Sequence, residues 1–308
     1  MSQTPDLYQN AVANTVAAKL SILIPFKGDD PTPLLAALGA RPGPVELVIL
    51  DDGSNDPVLT NKVRAALDAL AFPARLLTLA TNEGRARGRN RLVSAARSDH
   101  FLFLDADMLP DDPGFLDRWI ALVEHDNPPV AFGGFSVDQV EVTKAFALHR
   151  AMAGHSDCLP ASDRQKAPEK TLFTSNLLVR RDVFDAEAFD EAFTGWGWED
   201  VEWAMRVARR WPIRHIDNTA THLGLDTASA LAAKYEQSVG NFARVVVAHR
   251  EVVSTYPSFR VARALRPLPL RAIWRPLLKA CALSERLPLK ARALAMRFYR
   301  AALYAEVV

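Results

Sequence analysis

Only two cysteines, Cys158 and Cys281, stand in 308 residues. They are too few and too far apart for a disulfide framework or a zinc site, and their scarcity suits a reducing compartment. Long apolar runs are missing too. No window reaches the roughly 18 uninterrupted apolar residues of a membrane span, because Arg or Lys breaks the apolar C-terminal stretch every few positions. The opening MSQTPDLYQNAVANTVAAKL lacks the positive start and apolar core of a secretion signal. Net charge is almost absent, with 37 Lys and Arg against 36 Asp and Glu, which gives no overall pull towards nucleic acid. Internal repeats and low-complexity runs are lacking. These absences predict a cytoplasmic globular enzyme or binding protein.

The charge that is present is unevenly placed. Residues 257–308 hold 11 Lys and Arg against 2 Asp and Glu, a surplus of 9 that leaves the preceding chain with a deficit of 8. Prolines divide this tail into short basic amphipathic segments, a pattern read either as a peripheral membrane-surface element or as a face for self-association or for packing on the acidic part.

From residue 20 onward, short apolar runs alternate with segments of helical period, the signature of an α/β fold with a mostly parallel sheet flanked by helices. LSILIP (20–25), VELVIL (45–50), ARLLTL (74–79) and HFLFLD (100–105) suit buried parallel strands. Helices are expected over roughly 31–40, 57–71, 84–97, 112–125, 201–211 and 227–252, and further strands in PPVAFGGFSV, TLFTSNLLV and PIRHID. The polar stretch HSDCLPASDRQKAPEK (155–170) reads as a mobile loop or lid. The division this implies is an N-terminal extension (1–19), a nucleotide-binding domain (20–225) and a helical C-terminal region with the basic tail (226–308). Within the domain, 20–110 is the donor half and 111–225 the acceptor half.

In open α/β sheets ligands gather beyond the carboxyl ends of the strands. Here those ends read PFKGDD, DDGSND, ATNEGRARGRN and DADMLP. Asp105 and Asp107 flank Ala106, and two carboxylates in one turn call for a cation if both are ionised, although Asp-rich turns also occur as plain turn chemistry. DDGSND, with Asp51 and Asp52, suits either an Asx turn or acceptance of hydrogen bonds from a nucleotide. NEGRARGRN lacks the spacing of a dinucleotide fingerprint, but together with Arg91 just after it places four arginines, at 85, 87, 89 and 91, at the start of a helix, where phosphate contacts form.

Taken in order, ILIPF, DDGS, N-x-G followed by RN, DAD, TSNLLVRRDVF and FDEAFTGWGWEDVEWAMR resemble the inverting glycosyltransferases of family 2, over about residues 20–225. The segment GWGWEDVE is similar to that of galactosyltransferases and chondroitin-type polymerases. The resemblance implies a GT-A fold and a nucleotide-sugar donor, with UDP-sugars first in line, and a glycan or lipid-linked saccharide as acceptor. On the donor side, Pro25 and Phe26 would border the nucleotide, Asp52 or Asp51 would contact uracil, and Asn82 and Arg89 would contact base, ribose or diphosphate. The Asp105–Ala106 turn would hold ribose, and Asp105, Asp107 and His222 would bind Mn²⁺ or Mg²⁺. Phe26-Lys27-Gly28 departs from the Thr-Tyr-Asn common at the end of the first motif, which leaves the base less defined.

The same resemblance places the chemistry at GWGWEDVEW (195–203). A carboxylate at the start of a helix is expected to stay ionised in the helix dipole, so Asp200 reads as the general base, with Glu199 orienting the acceptor and the reverse assignment open. Trp196, Gly197 and Trp198 would form an acceptor platform, since sugars stack their C–H faces on indole rings. Three other readings compete: a catalytically silent nucleotide-sugar-binding subunit; a nucleotidyltransferase, which would carry a glycine-rich phosphate loop after the first strand where PFKGDDP is acidic; and a membrane-docking or assembly protein dominated by the basic tail.

Overall fold

The computed structural model describes residues 3–12, 18–40 and 43–308; part of the expected N-terminal extension lies outside these. Strand β1 (Asp6–Gln9) precedes a run of alternating elements: β2 (Leu20–Phe26), α1 (Thr32–Gly39), β3 (Val45–Asp51), α2 (Pro57–Asp68), β4 (Ala74–Thr78), α3 (Arg85–Ala95) and β5 (His100–Leu104). Then follow β6 (Met108–Pro110), α4 (Phe115–His125), β7 (Val130–Phe132), β8 (Phe135–Ser136), α5 (Ala147–Ser156) and α6 (Ala161–Arg164). A 3₁₀ turn (Pro168–Lys170) leads into β9 (Asn176–Arg180), α7 (Arg181–Ala186), α8 (Glu199–Val207), β10 (Ile213–His215) and β11 (Ala220–His222). The chain continues in α9 (Ala228–Ala248), α10 (Arg250–Val253), α11 (Pro257–Leu265), α12 (Arg271–Leu283) and α13 (Leu289–Tyr304).

The main sheet has the order β1-β4-β3-β2-β5-β9-β7-β10, and β6-β11-β8 form a small second sheet. Strands β4, β3, β2 and β5 are parallel, whereas β9 runs antiparallel to both β5 and β7. Side chains of β2 alternate between two cores. Ile22 and Ile24 join α1, α2 and α4 on one face, and Leu23 joins α3, α7 and α8 on the other. Burial on both faces explains why these strands read as unbroken apolar runs. Each fully buried Leu or Ile contributes about 1.5–3 kcal/mol, which places the fold's stability in this sandwich.

Three departures from the sequence reading have physical causes. Residues 155–170 are mostly helical and pinned, not a free lid: Arg164 is almost fully buried, stacks on Phe132 at 5.1 Å and donates to the Ile216 carbonyl at 2.7 Å. Strand β9 begins only at Asn176, whose amide donates to the carbonyls of Gly134 and Asn218, both at 2.8 Å, tying the two sheets together. Strands β1, β6, β8 and β11 have two to four residues each, too short for a period-2 pattern to show.

The basic tail is part of the folded body. Met296, Tyr299, Tyr304 and Val308 pack with Phe242 and Tyr235 of α9 and with Val201 and Met205 of α8 in one cluster. Among the described residues, no helix is long and apolar enough to cross a membrane.

Candidate active site

The carboxyl ends of β2, β3 and β5 open onto a cleft of about 780 Å³, the upper range of small-molecule sites. Pro25, Phe26, Asp52, Asn82, Arg85 and Gly88 line one side of it. The two aspartates after β3 part company here. Asp51 is 1% exposed and accepts from the Ser54 amide at 2.8 Å, so it shapes the turn. Asp52 faces the cleft and accepts from the amides of Glu83 (2.7 Å) and Gly84 (3.0 Å), which lock the following loop. Gly53 has φ +78°, and a Cβ there would lie 2.7 Å from the Asn82 nitrogen, so this close approach of the two loops needs glycine.

Past β5 the chain presents Asp105, Ala106 and Asp107, all lining the cleft. Strand β11 pairs His222 with Met108, bringing the His222 Nε2 to 3.3 Å from Asp107 Oδ2. Burial acts to raise the Asp107 pKa, but the His222 contact outweighs it and the net shift is downward. For His222, burial acts downward and Asp107 outweighs it, so the net shift is upward. Asp107 Oδ1 is buried without a hydrogen-bond partner, and a Cβ on Gly224 would sit 1.9 Å from Asp107 Oδ2. A carboxylate with one oxygen seated on Gly224 beside His222 and the other left without a partner fits a hard divalent cation. Among the described residues no three His, Cys, Asp or Glu side chains form a ready metal cluster, because Asp105 turns its Oδ1 to Arg89.

Arg89 is 1% exposed and acts as a strut: it donates to Asp105 Oδ1 at 2.9 Å and to Glu199 Oε1 at 3.4 Å. Its guanidinium is therefore shared by two carboxylates where it lines the cleft, and Arg85 beside it is the more exposed of the two arginines. Burial lowers the Arg85 pKa, yet Glu199, Asp105, Asp200 and Asp107 together raise it. Its side chain keeps a face open to solvent along the cleft, so the four carboxylates acting on it outweigh the effect of its partial burial.

At GWGWEDVEW the backbone makes a run of left-handed residues, Gly195, Gly197 and Trp198 at φ +73°, +88° and +75°. For tryptophan this conformation costs on the order of 1–3 kcal/mol. It is held by Asn241, which donates to the carbonyls of Thr194 (2.9 Å) and Gly197 (2.8 Å), and by the Trp198 indole bonded to the Tyr304 hydroxyl at 2.9 Å. The Trp198 ring packs 4.7 Å from Phe242, so it belongs to the helical core, and Trp196 alone of the pair lines the cleft. The turn sends Glu199 inward to Arg89 and Asp200 into the cleft. Glu199 is thus not positioned to orient an acceptor. Asp200 also departs from the expectation of a fully ionised helix-terminal carboxylate: burial first, and then Glu199, push it up to about 7.

The side of the cleft opposite β2, β3 and β5 is completed by residues not singled out individually in the sequence. Thr174 and Ser175 precede β9, and His149, Asp157, Lys234, Tyr235 and Arg300 come from α5, its C-terminal end, α9 and α13. His149 Nδ1 accepts from the Asp226 amide at 2.8 Å, which leaves the proton on Nε2, and burial holds this imidazole down to about 4. Arg300, from the basic tail, lies over the Tyr235 ring at 5.2 Å. A lone histidine and a tail arginine carry no motif; only the folded chain brings them to the cleft.

A divided cleft with acids at β3 and β5 and a separate carboxylate opposite them matches the order of motifs in the chain. The family model for glycosyl transferase family 2 matches residues 22–186, more than half of the sequence. The chain belongs to glycosyl transferase family 2. No curated protein matches the sequence. This family 2 glycosyltransferase is similar to the solved structure of the mannosyltransferase PcManGT from Pyrobaculum calidifontis in complex with GDP-Man and Mn²⁺. The TM-score is 0.57 at 14% identity, covering 97% of this chain and 89% of that one. S. aureus TarS 1–349 in complex with UDP-GlcNAc gives 0.54 at 17% identity, covering 94% and 90%. The family 2 transferase therefore has the GT-A fold, with a helical C-terminal addition.

Proposed function

We propose that this glycosyltransferase moves a sugar from a nucleoside diphosphate sugar to a hydroxyl of a glycan or lipid-linked saccharide, with inversion, and that Asp200 is its general base. The observation that carries the reading is the split between Glu199 and Asp200. One is spent on the buried Arg89, whereas the other lies in the shared cleft with a pKa of about 7, matched to proton transfer near neutral pH.

Pro25 and Phe26 border the nucleotide, Asp52 and Asn82 face its base and ribose, and Arg85 faces the diphosphate. Asp107 and His222, with Asp105 beside them, would hold Mn²⁺ or Mg²⁺, which supplies positive charge to the diphosphate when bound. The acceptor hydroxyl, laid against Trp196, attacks C1 from the face opposite the diphosphate. A C1–O bond to the acceptor forms as the C1–O bond to phosphate breaks, and its electron pair leaves with the diphosphate. The hydroxyl proton passes to Asp200 Oδ2, while Asp200 Oδ1 is fixed by the Val201 amide at 2.8 Å. Arg85 stabilises the charge that grows on the leaving group.

UDP-GlcNAc and GDP-Man, the ligands of the two similar structures, are the donors to compare first. Asp200→Asn is expected to lower turnover by about 10²- to 10⁴-fold while calorimetry shows UDP or GDP binding within a factor of about three. Wild-type turnover in that variant would remove Asp200 from the base role.

A further inference from the structure

We infer that α12 and the turn before it form a docking surface for an anionic lipid bilayer. Of the residues of α12 only Ala282 is buried. Its outward positions, Ala272, Ile273, Pro276, Leu277, Ala280 and Cys281, recur at helical spacing, are all exposed and include no charged or hydrogen-bonding oxygen or nitrogen side chain. Leu268, Leu270, Ile273 and Leu277 are 47%, 69%, 57% and 59% exposed, an apolar ridge of four large side chains in ten residues. Leu270 is also held at φ +58°, a left-handed conformation leucine rarely adopts, yet its side chain buries little within the protein. The Trp274 indole, donating to the Pro269 carbonyl at 2.9 Å, and Arg271, donating to the Arg266 carbonyl at 2.7 Å, hold this turn so that Leu270 points its side chain into solvent, where a partner outside the fold can take it up.

Charge selects the partner. On α12 itself, Arg275 and Lys279 are ion-paired with Glu306 and Glu236. Arg263, Arg286 and Lys290 are exposed and form no ion pair among the described residues. Two copies meeting here would bring together two tails that each carry a surplus of 9 positive charges, which disfavours self-association. Anionic headgroups satisfy those cations, and the acyl boundary takes up an apolar ridge without requiring a complementary surface. The surface is independent of the reaction proposed above, so neither stands or falls with the other.

The test is sedimentation of the full chain with phosphatidylcholine vesicles containing about one third phosphatidylglycerol, against phosphatidylcholine alone. Binding is expected to the anionic vesicles only, and to weaken with added salt. Ile273→Glu with Leu277→Glu is expected to reduce it by more than about tenfold, with the melting temperature and donor hydrolysis in solution unchanged because both side chains are exposed and outside the cleft. Arg286→Glu with Lys290→Glu provides a second reading in which no apolar side chain is altered, again with at least about tenfold loss. Equal sedimentation with neutral vesicles, no sedimentation at all, or unchanged binding in both double variants would overturn the inference. So would a dimer of the wild type that either pair of substitutions converts to monomer.

Discussion

Asp200 shows how the surroundings of one carboxylate decide its chemistry. The start of a helix favours an ionised acid, but α8 is capped by Trp198 without any side-chain hydrogen bond, and burial with Glu199 nearby outweighs the Val201 amide. With the pKa near 7, kcat/KM should rise with pH on a limb centred close to 7, measured as a pH–rate profile with donor in excess. The same shift has a stability consequence. The folded state holds this proton more tightly than the unfolded chain, whose carboxyl titrates near 3.8, so the favourable contribution is complete below that value and is lost as pH rises through 7. Asp200→Asn should therefore be more stable than wild type at pH 8, by about 2 kcal/mol after discounting for the open cleft, with the gain absent near pH 4. Urea unfolding at both pH values checks this. The acidic positions that face the cleft, Asp200 and the turns after β3 and β5, stand out in the sequence because carboxylates at strand and helix ends break apolar runs. The commitment of Arg89 to Asp105 and Glu199 was not, since residues 16 and 110 positions apart meet only after folding.

At the scale of elements, β2 to β5 and the helices between them could be read because each is long enough to show its period and is bounded by polar turns. The reversed strand β9 could not. A search for site residues looks just after each strand, but in an antiparallel neighbour the cleft side is the end where the strand begins. Leu104 at the end of β5 pairs with Asn176 at the start of β9, so Thr174 and Ser175 reach the cleft from in front of their strand. The short strand β11 has a similar hidden role, since its pairing with β6 sets His222 beside Asp107 and leaves Gly224 under the carboxylate. Gly224→Ala should push Asp107 out of place and weaken Mn²⁺-dependent UDP binding by at least about tenfold, with metal-free binding changed little; calorimetry with and without Mn²⁺ separates the two.

For the whole molecule, the charge asymmetry was plain in the sequence, but it did not reveal that the tail is both wall and core. Helix α13 buries Met296, Tyr299 and Tyr304 in the helical cluster, sends Arg300 to the cleft and holds the Trp198 indole through Tyr304. A chain ending at residue 256 should accordingly lose activity and folded stability together, seen as a lowered urea midpoint alongside absent turnover. A detachable anchor would leave both intact. The position of α13 also sets an order on biosynthesis. A growing polypeptide can pair β2 to β5 while most of its length is still to be made, so the nucleotide pocket is available early. The opposite wall waits for α13, and no nascent chain can offer the finished cleft before Arg300 and Tyr304 have left the ribosome.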